Sequence, residues 1–279
     1  MKKKTLIIIP GFLTDSHALA KAHKASSLNE YDPTAQLDHR AWQKELKNLC
    51  HQEVQVQTLQ WDSQSPVELV SSGLKIFVDY IRLPLGLPHK ILALAQTLHD
   101  SWSKAINESD LVYHDLCRLV EKASQDSEVT LLGHSLGGRI ALKALSQLAR
   151  EGRLKRLPQV SAWAPAITIE DLDWSLLETL AQPPEICFSQ EDLVLNYLFP
   201  LGQAAPLNGD STDLLNLLQT FALRTNEQRA LGHIGPPDRA PLLQELSHDY
   251  TAKKMRHLNY LPQASLLFQE STYLAQLLK

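Results

Sequence analysis

Short runs of β-branched and other apolar residues recur along the chain, and the stretches between them carry apolar residues at three-to-four spacing. That rhythm predicts strand-helix-strand units, and with them an α/β fold built on a mostly parallel sheet flanked by helices. Strands are expected over 5–9, 54–59, 129–132, 159–163 and 185–188 and, with the weakest pattern, over 243–250. Amphipathic helices are expected over 37–49, 111–123, 136–150 and 263–278, each followed by polar or turn residues. No repeat of fixed period and no low-complexity tract interrupts the pattern. The 279 residues therefore read as one domain over 1–279.

One region departs from the rhythm. Residues 62–109 are helical by pattern, broken by Pro66, Pro84, Gly86 and Pro88, and longer than a simple crossover between strands requires. They read as a helical insertion or cap. Its apolar positions, Leu74, Ile76, Phe77, Ile81, Leu83, Leu85 and Leu87, suit either a membrane-facing flap or a helical pair packed on the domain, and helical spacing alone does not separate the two.

The chemistry concentrates at 129–138. There Val129-Thr130-Leu131-Leu132 runs into Gly133-His134-Ser135-Leu136-Gly137-Gly138, and a helical pattern follows at once. The Gly-x-Ser-x-Gly pattern alone is weak, but a buried strand before it and a helix after it are the context of a nucleophile elbow. Side chains two positions either side of the serine would collide with the neighbouring strand and helix, which explains the glycines. Ser135 is thus the candidate nucleophile, with the N–H of Leu136 at a helix N-terminus as one oxyanion donor. A second donor is expected from the loop after an earlier strand. Ile9-Pro10-Gly11-Phe12 supplies it, with the Phe12 N–H as the donor. His134 is expected to point into packing.

A serine needs an imidazole to take its proton, and the imidazole needs a carboxylate to fix its tautomer, in the chain order serine, acid, histidine. Asp192, just past the strand at 185–188, is the first choice of acid and Glu191 its nearest rival. Glu170, Asp171 and Asp173 form a second group, whose bland role is to supply negative charge at the start of a helix near 172–180. His257 stands first as the base because it lies between the last strand and the terminal helix. His233, framed by Gly232 and Gly235, is the alternative, and His248, inside the expected strand, comes last.

These residues resemble the α/β-hydrolase superfamily. More narrowly, Gly11-Phe12-Leu13, Gln60-Trp61-Asp62-Ser63, 133–138, 189–195 and 257–260 are similar to the uncharacterised hydrolase family that includes the transmembrane-and-coiled-coil-domain proteins. The resemblance implies Ser135, Asp192 and His257 at the triad positions. It implies no substrate, and the membrane-spanning and coiled-coil parts of the larger relatives have no counterpart in this sequence.

Composition narrows the partners. A formal charge of −4 leaves no basic surplus to neutralise phosphates, which argues against nucleic acid. Cys50, Cys117 and Cys187 are far apart and odd in number, which fits a reducing, cytoplasmic setting. Neither cysteines nor histidines show metal-ligand spacing, so no metal or other cofactor is expected. No stretch reaches the roughly 18 apolar residues of a spanning helix. Lys2-Lys3-Lys4 followed by 5–9 imitates a secretory signal, but Pro10-Gly11 and Thr14-Asp15-Ser16-His17 break the apolar stretch, and a buried strand and loop explain it better.

The expectation is a serine hydrolase of carboxylic esters or thioesters, with a small-molecule or lipid ester as substrate and peripheral membrane contact left open. A lipid substrate follows only from the apolar 62–109 segment. The competing expectations are a binding or scaffold protein on a hydrolase fold, against which the intact motif argues, and an acyltransferase using the same serine.

Overall fold

The computed structural model describes residues 3–11, 39–61, 89–203 and 225–278. Its first strand, β1 (Lys3–Ile9), buries Leu6, Ile7, Ile8 and Ile9 in succession. Neighbouring strand residues point to opposite faces, so unbroken burial means that both faces of the sheet are covered here. β2 (Val54–Thr58) is half-exposed and forms an edge. β3 (Ser127–His134), β4 (Gln159–Trp163), β5 (Glu185–Phe188) and the two-residue β6 (His248–Asp249) complete a sheet ordered β2-β1-β3-β4-β5-β6, every neighbouring pair parallel. Parallel pairing brings the strand ends to one edge: Ile9 pairs with Gly133, His134 with Trp163, Trp163 with Cys187 and Phe188 with Asp249. In sheets of this kind chemistry gathers beyond that edge.

Parallel strands need crossovers, and helices supply them. α1 (His39–Leu49) precedes β2, and α2 (His89–Ala123) precedes β3. α3 (Leu136–Glu151) leads from β3 to β4 and stops at Gly152, whose left-handed backbone donates its N–H to Leu148 O at 3.2 Å. α4 (Trp174–Glu178) lies between β4 and β5.

α2 is longer than the pattern at 111–123 predicted. Its 35 residues make a rod of about 52 Å. Of the expected insertion at 62–109, residues 62–88 lie outside the described residues, and 89–109 are continuous with the rest of α2. The first half of α2 packs on the short helix α5 (Phe199–Gln203): Ser103 Oγ donates to Gly202 O at 2.8 Å, and the Trp102 ring fills the place a Cβ on Gly202 would take. Farther along, Asp110 on α2 accepts two bonds from the buried Arg139 of α3, at 3.0 and 3.1 Å, and one from Lys143 at 2.6 Å. Charge pairing therefore fastens α2 to the helix that carries the elbow.

Two expected elements are corrected. The strand at 243–250 survives only as β6, because α7 (Pro241–Leu246) occupies its first half. Pro241 sits in the first turn of α7, where its missing N–H costs nothing and its fixed φ favours the helix. The helix expected over 263–278 is α8 (Ala264–Glu270), a break, and a final 3₁₀ turn at Ala275–Leu277. Ser271 makes the break: its Oγ accepts the N–H groups of Tyr273 and Leu274 at 3.2 and 3.0 Å and donates to the Glu185 carboxylate. A side chain competing for backbone donors in this way favours a turn over a helix.

Candidate active site

Ser135 is the single residue between β3 and α3, with φ 55° and ψ −121°. A non-glycine residue in such a conformation costs on the order of 1–3 kcal/mol and persists only where its surroundings over-determine it. They do so here. The Ser135 N–H donates to Trp163 O at 2.9 Å, and its carbonyl accepts from Ala166 N at 3.0 Å and Arg139 N at 3.2 Å. The glycines of the motif mark backbone touching backbone: a Cβ on Gly133 would stand 2.4 Å from Gly137 O, and one on Gly137 only 1.9 Å from Ile9 O. The collisions expected from the motif are therefore with Gly137 on α3 and with the end of β1.

Asp192, the first-choice acid, lies in the loop after β5. Asp192 is fully buried, whereas Glu191 is exposed. Asp192 Oδ1 accepts Leu195 N at 3.0 Å, which holds the carboxylate at the head of a π-helical turn over Val194–Leu198. Asp192 Oδ2 lies 2.7 Å from His257 Nδ1. An ionised carboxylate only accepts, so the ring proton sits on Nδ1 and leaves Nε2 as an acceptor. That Nε2 lies 2.9 Å from Ser135 Oγ, which donates to it. Three residues from three loops at one edge of the sheet thus form a continuous hydrogen-bonded chain, all of them buried.

The rival residues lie elsewhere. Asp171 accepts from Arg139 at 2.9 Å, Asp173 caps α4 by accepting Leu176 N at 3.1 Å, and Glu170 is exposed. His233 lies in the short helix α6 (Leu231–Ile234) and His248 in β6; the imidazole on Ser135 Oγ is that of His257.

Of the two expected oxyanion donors, Phe12 lies outside the described residues. Leu136 opens α3, so its N–H belongs to the first turn, where no intrahelical acceptor exists. The loop after β1 is seen as far as Gly11, where a Cβ would come within 2.6 Å of Ser135 Cβ. Trp61 holds that loop: its indole N–H donates to Pro10 O at 2.9 Å. Nothing local in the sequence signals this contact, because its partners are 51 positions apart.

His134 is packed, as expected, but it also makes a specific bond: its Nε2 lies 2.9 Å from the backbone carbonyl of His257. Burial, reinforced by the neighbouring His257, holds the His134 imidazole well below its ordinary range. Burial likewise pushes the Tyr260 hydroxyl and the Cys187 thiol up, the former with help from the charge of Asp192.

Among the described residues no three His, Cys, Asp or Glu side chains gather where they could hold a metal ion, and no helix is long and apolar enough to cross a membrane. Residues 99–197 match a family model described as "Alpha/beta hydrolase of unknown function (DUF900)", a stretch that includes Ser135 and Asp192 and ends before His257. The transmembrane and coiled-coil domain-containing protein STS1 of Oryza sativa subsp. japonica is 26% identical over 144 residues, which cover 49% of this chain and 21% of that protein. The matched stretch thus spans about a fifth of that relative's length. Two solved structures align over nearly the whole chain: ClbQ from the colibactin NRPS/PKS pathway covers 95% of this chain and 93% of its own at 11% identity and TM-score 0.37. RedJ with a PEG molecule bound in its active site covers 99% and 90% at 14% identity and TM-score 0.32. At these scores neither bears on the reading of the site. The six-stranded parallel sheet flanked by helices, with the strand-serine-helix turn at the end of β3, gives this chain an α/β-hydrolase-type fold.

Proposed function

We propose that this chain is a serine hydrolase that cleaves carboxylic esters or thioesters through an acyl-enzyme on Ser135. One observation carries the reading: Asp192 Oδ2 lies 2.7 Å from His257 Nδ1 and Ser135 Oγ lies 2.9 Å from His257 Nε2, the order of acid, imidazole and hydroxyl that general-base catalysis requires. Ser135 Oγ attacks the carbonyl carbon as His257 Nε2 takes its proton, and the developing oxyanion is met by the N–H of Leu136 at the start of α3. Collapse expels the alcohol or thiol, which leaves with the proton from His257. Water, deprotonated by the same imidazole, then releases the acid and restores Ser135. Ser135 is fully buried, and the low dielectric around the reacting atoms strengthens each of these interactions.

The test is labelling with a small fluorophosphonate, read by mass spectrometry, on the native chain and on Ser135→Ala. The native chain should carry one adduct on Ser135 and hydrolyse short p-nitrophenyl esters, and the variant should do neither. An unlabelled native chain would point instead to a binding or scaffold role. Labelling without release of free acid from the ester would indicate transfer to another acceptor.

A further inference from the structure

Two residues of the elbow motif carry reactive side chains, and only one of them has been given a task. His134 ends β3, next to Ser135, and its side chain is buried. A carbonyl oxygen can only accept, so the 2.9 Å contact with His257 O requires the proton on His134 Nε2. A neutral imidazole then leaves Nδ1 without a proton, and among the described residues that buried atom has no hydrogen-bond partner. It faces the loop after β1, where a Cβ on Gly11 would come within 3.2 Å of it. Aromatic neighbours fix the ring itself. Trp42 stacks on it at 5.2 Å between centroids, His257 lies at 4.8 Å and Tyr260 at 5.6 Å.

His257 opens a three-residue 3₁₀ turn whose own bonds are the local pair between Arg256 and Asn259, at 3.0 and 2.9 Å. Asp192 meets the ring at Nδ1 and Ser135 Oγ meets it at Nε2, contacts that hold the ring and not the backbone that carries it. We propose that His134 is a positioning residue for this site: by donating its Nε2 proton to the His257 carbonyl, it ties the backbone of the base to the strand that ends at the nucleophile. The distance from His257 Nε2 to Ser135 Oγ is then set within one rigid unit rather than across 122 positions of chain. This rests on the serine-hydrolase reading. His134 stays neutral while His257 takes the proton, so no second cation opposes the imidazolium that forms.

His134→Gln and His134→Leu separate tethering from packing. The Gln amide nitrogen stands the same number of bonds from Cα as the histidine Nε2, so Gln keeps a donor and Leu has none. Both lose the ring that lies between Trp42 and His257, so both should lower the urea midpoint alike. The fluorophosphonate reaction of Gln should stay within about threefold of native, whereas Leu should slow about tenfold to a hundredfold, with kcat for a short ester falling in step and KM little changed. Equal slowing of both variants, or native rates in Leu, would overturn the tether. A second measurement does not depend on activity: long-range ¹H–¹⁵N NMR of the native chain should show His134 as the Nε2–H tautomer, and an Nδ1–H tautomer would overturn the proposal. If the native chain fails to label at Ser135 while this tautomer is present, the hydrolase reading falls and the hydrogen bond to His257 stands.

Discussion

Strand β5 has a buried carboxylate at each end, and the two are held for different purposes. Glu185, its first residue, accepts the Ser271 hydroxyl and the Thr272 N–H at 2.6 Å, on the edge of the sheet away from the site. Asp192, beyond its last residue, accepts Leu195 N and faces an imidazole. Both are satisfied as buried polar groups must be. At Glu185 the serine bonds the carboxylate directly and its oxygen also takes two backbone N–H groups, so the hydroxyl is fully engaged in closing a turn. At Asp192 an imidazole stands between carboxylate and serine, and a group able to accept a proton faces the hydroxyl. A buried acid and a buried serine are structural cement; the intervening base makes them a candidate for chemistry.

The sharpest way to break this contrast is to alter the two acids in parallel. Asp192→Asn should lower kcat for a short ester by about 10⁴-fold, because the amide N–H forces the proton of His257 onto Nε2, where it meets Ser135. Glu185→Gln should leave kcat near native. If both fell equally, or neither, the distinction between the two ends would be lost.

A smaller effect is expected in stability. Glu185→Leu leaves the Ser271 hydroxyl and the Thr272 N–H without their acceptor, and should cost about 1–3 kcal/mol in urea unfolding, whereas Glu185→Gln keeps one acceptor oxygen and should cost less. The smallest effect is one of pH. Burial, only partly opposed by its bonds to Ser271 and Thr272, holds the Glu185 carboxyl above its ordinary value of 4.5. The folded chain therefore binds this proton more tightly than the unfolded chain does. The resulting stability is fully present below about pH 4.5 and is lost as pH rises through the folded value. Urea titrations of the native chain and Glu185→Gln at several pH values should show the native advantage shrinking over that window. An advantage that grew with pH would contradict the assignment.

The sheet was legible because its central strands are covered on both faces, so short apolar stretches such as Leu6–Ile9 and Ile186–Phe188 stand out between the helical patterns. The expected strands at 159–163 and 185–188 match β4 and β5 end to end. β3 runs farther than 129–132 because its polar start, Ser127 and Glu128, is drawn into pairing with Lys3 and Lys4 of β1. Such pairing leaves no trace in local periodicity. The strand expected at 243–250 failed because its apolar residues, Leu243, Leu246 and Tyr250, stand three and four positions apart, which is helical spacing, and Pro241 starts a helix just ahead of them.

The chain alone determined the elbow, the order of its strands along the sequence and a short roster of acids and imidazoles, since each depends on backbone permissiveness or periodicity over a few residues. Only the tertiary structure decided that Asp192 meets His257 across 65 positions, that His257 and not His233 faces Ser135, and that His134 and Trp61 reach the loops on either side. Those pairings follow from which strands lie side by side, and strand neighbours are chosen by the packing of the whole sheet and its helices, not by any segment read alone.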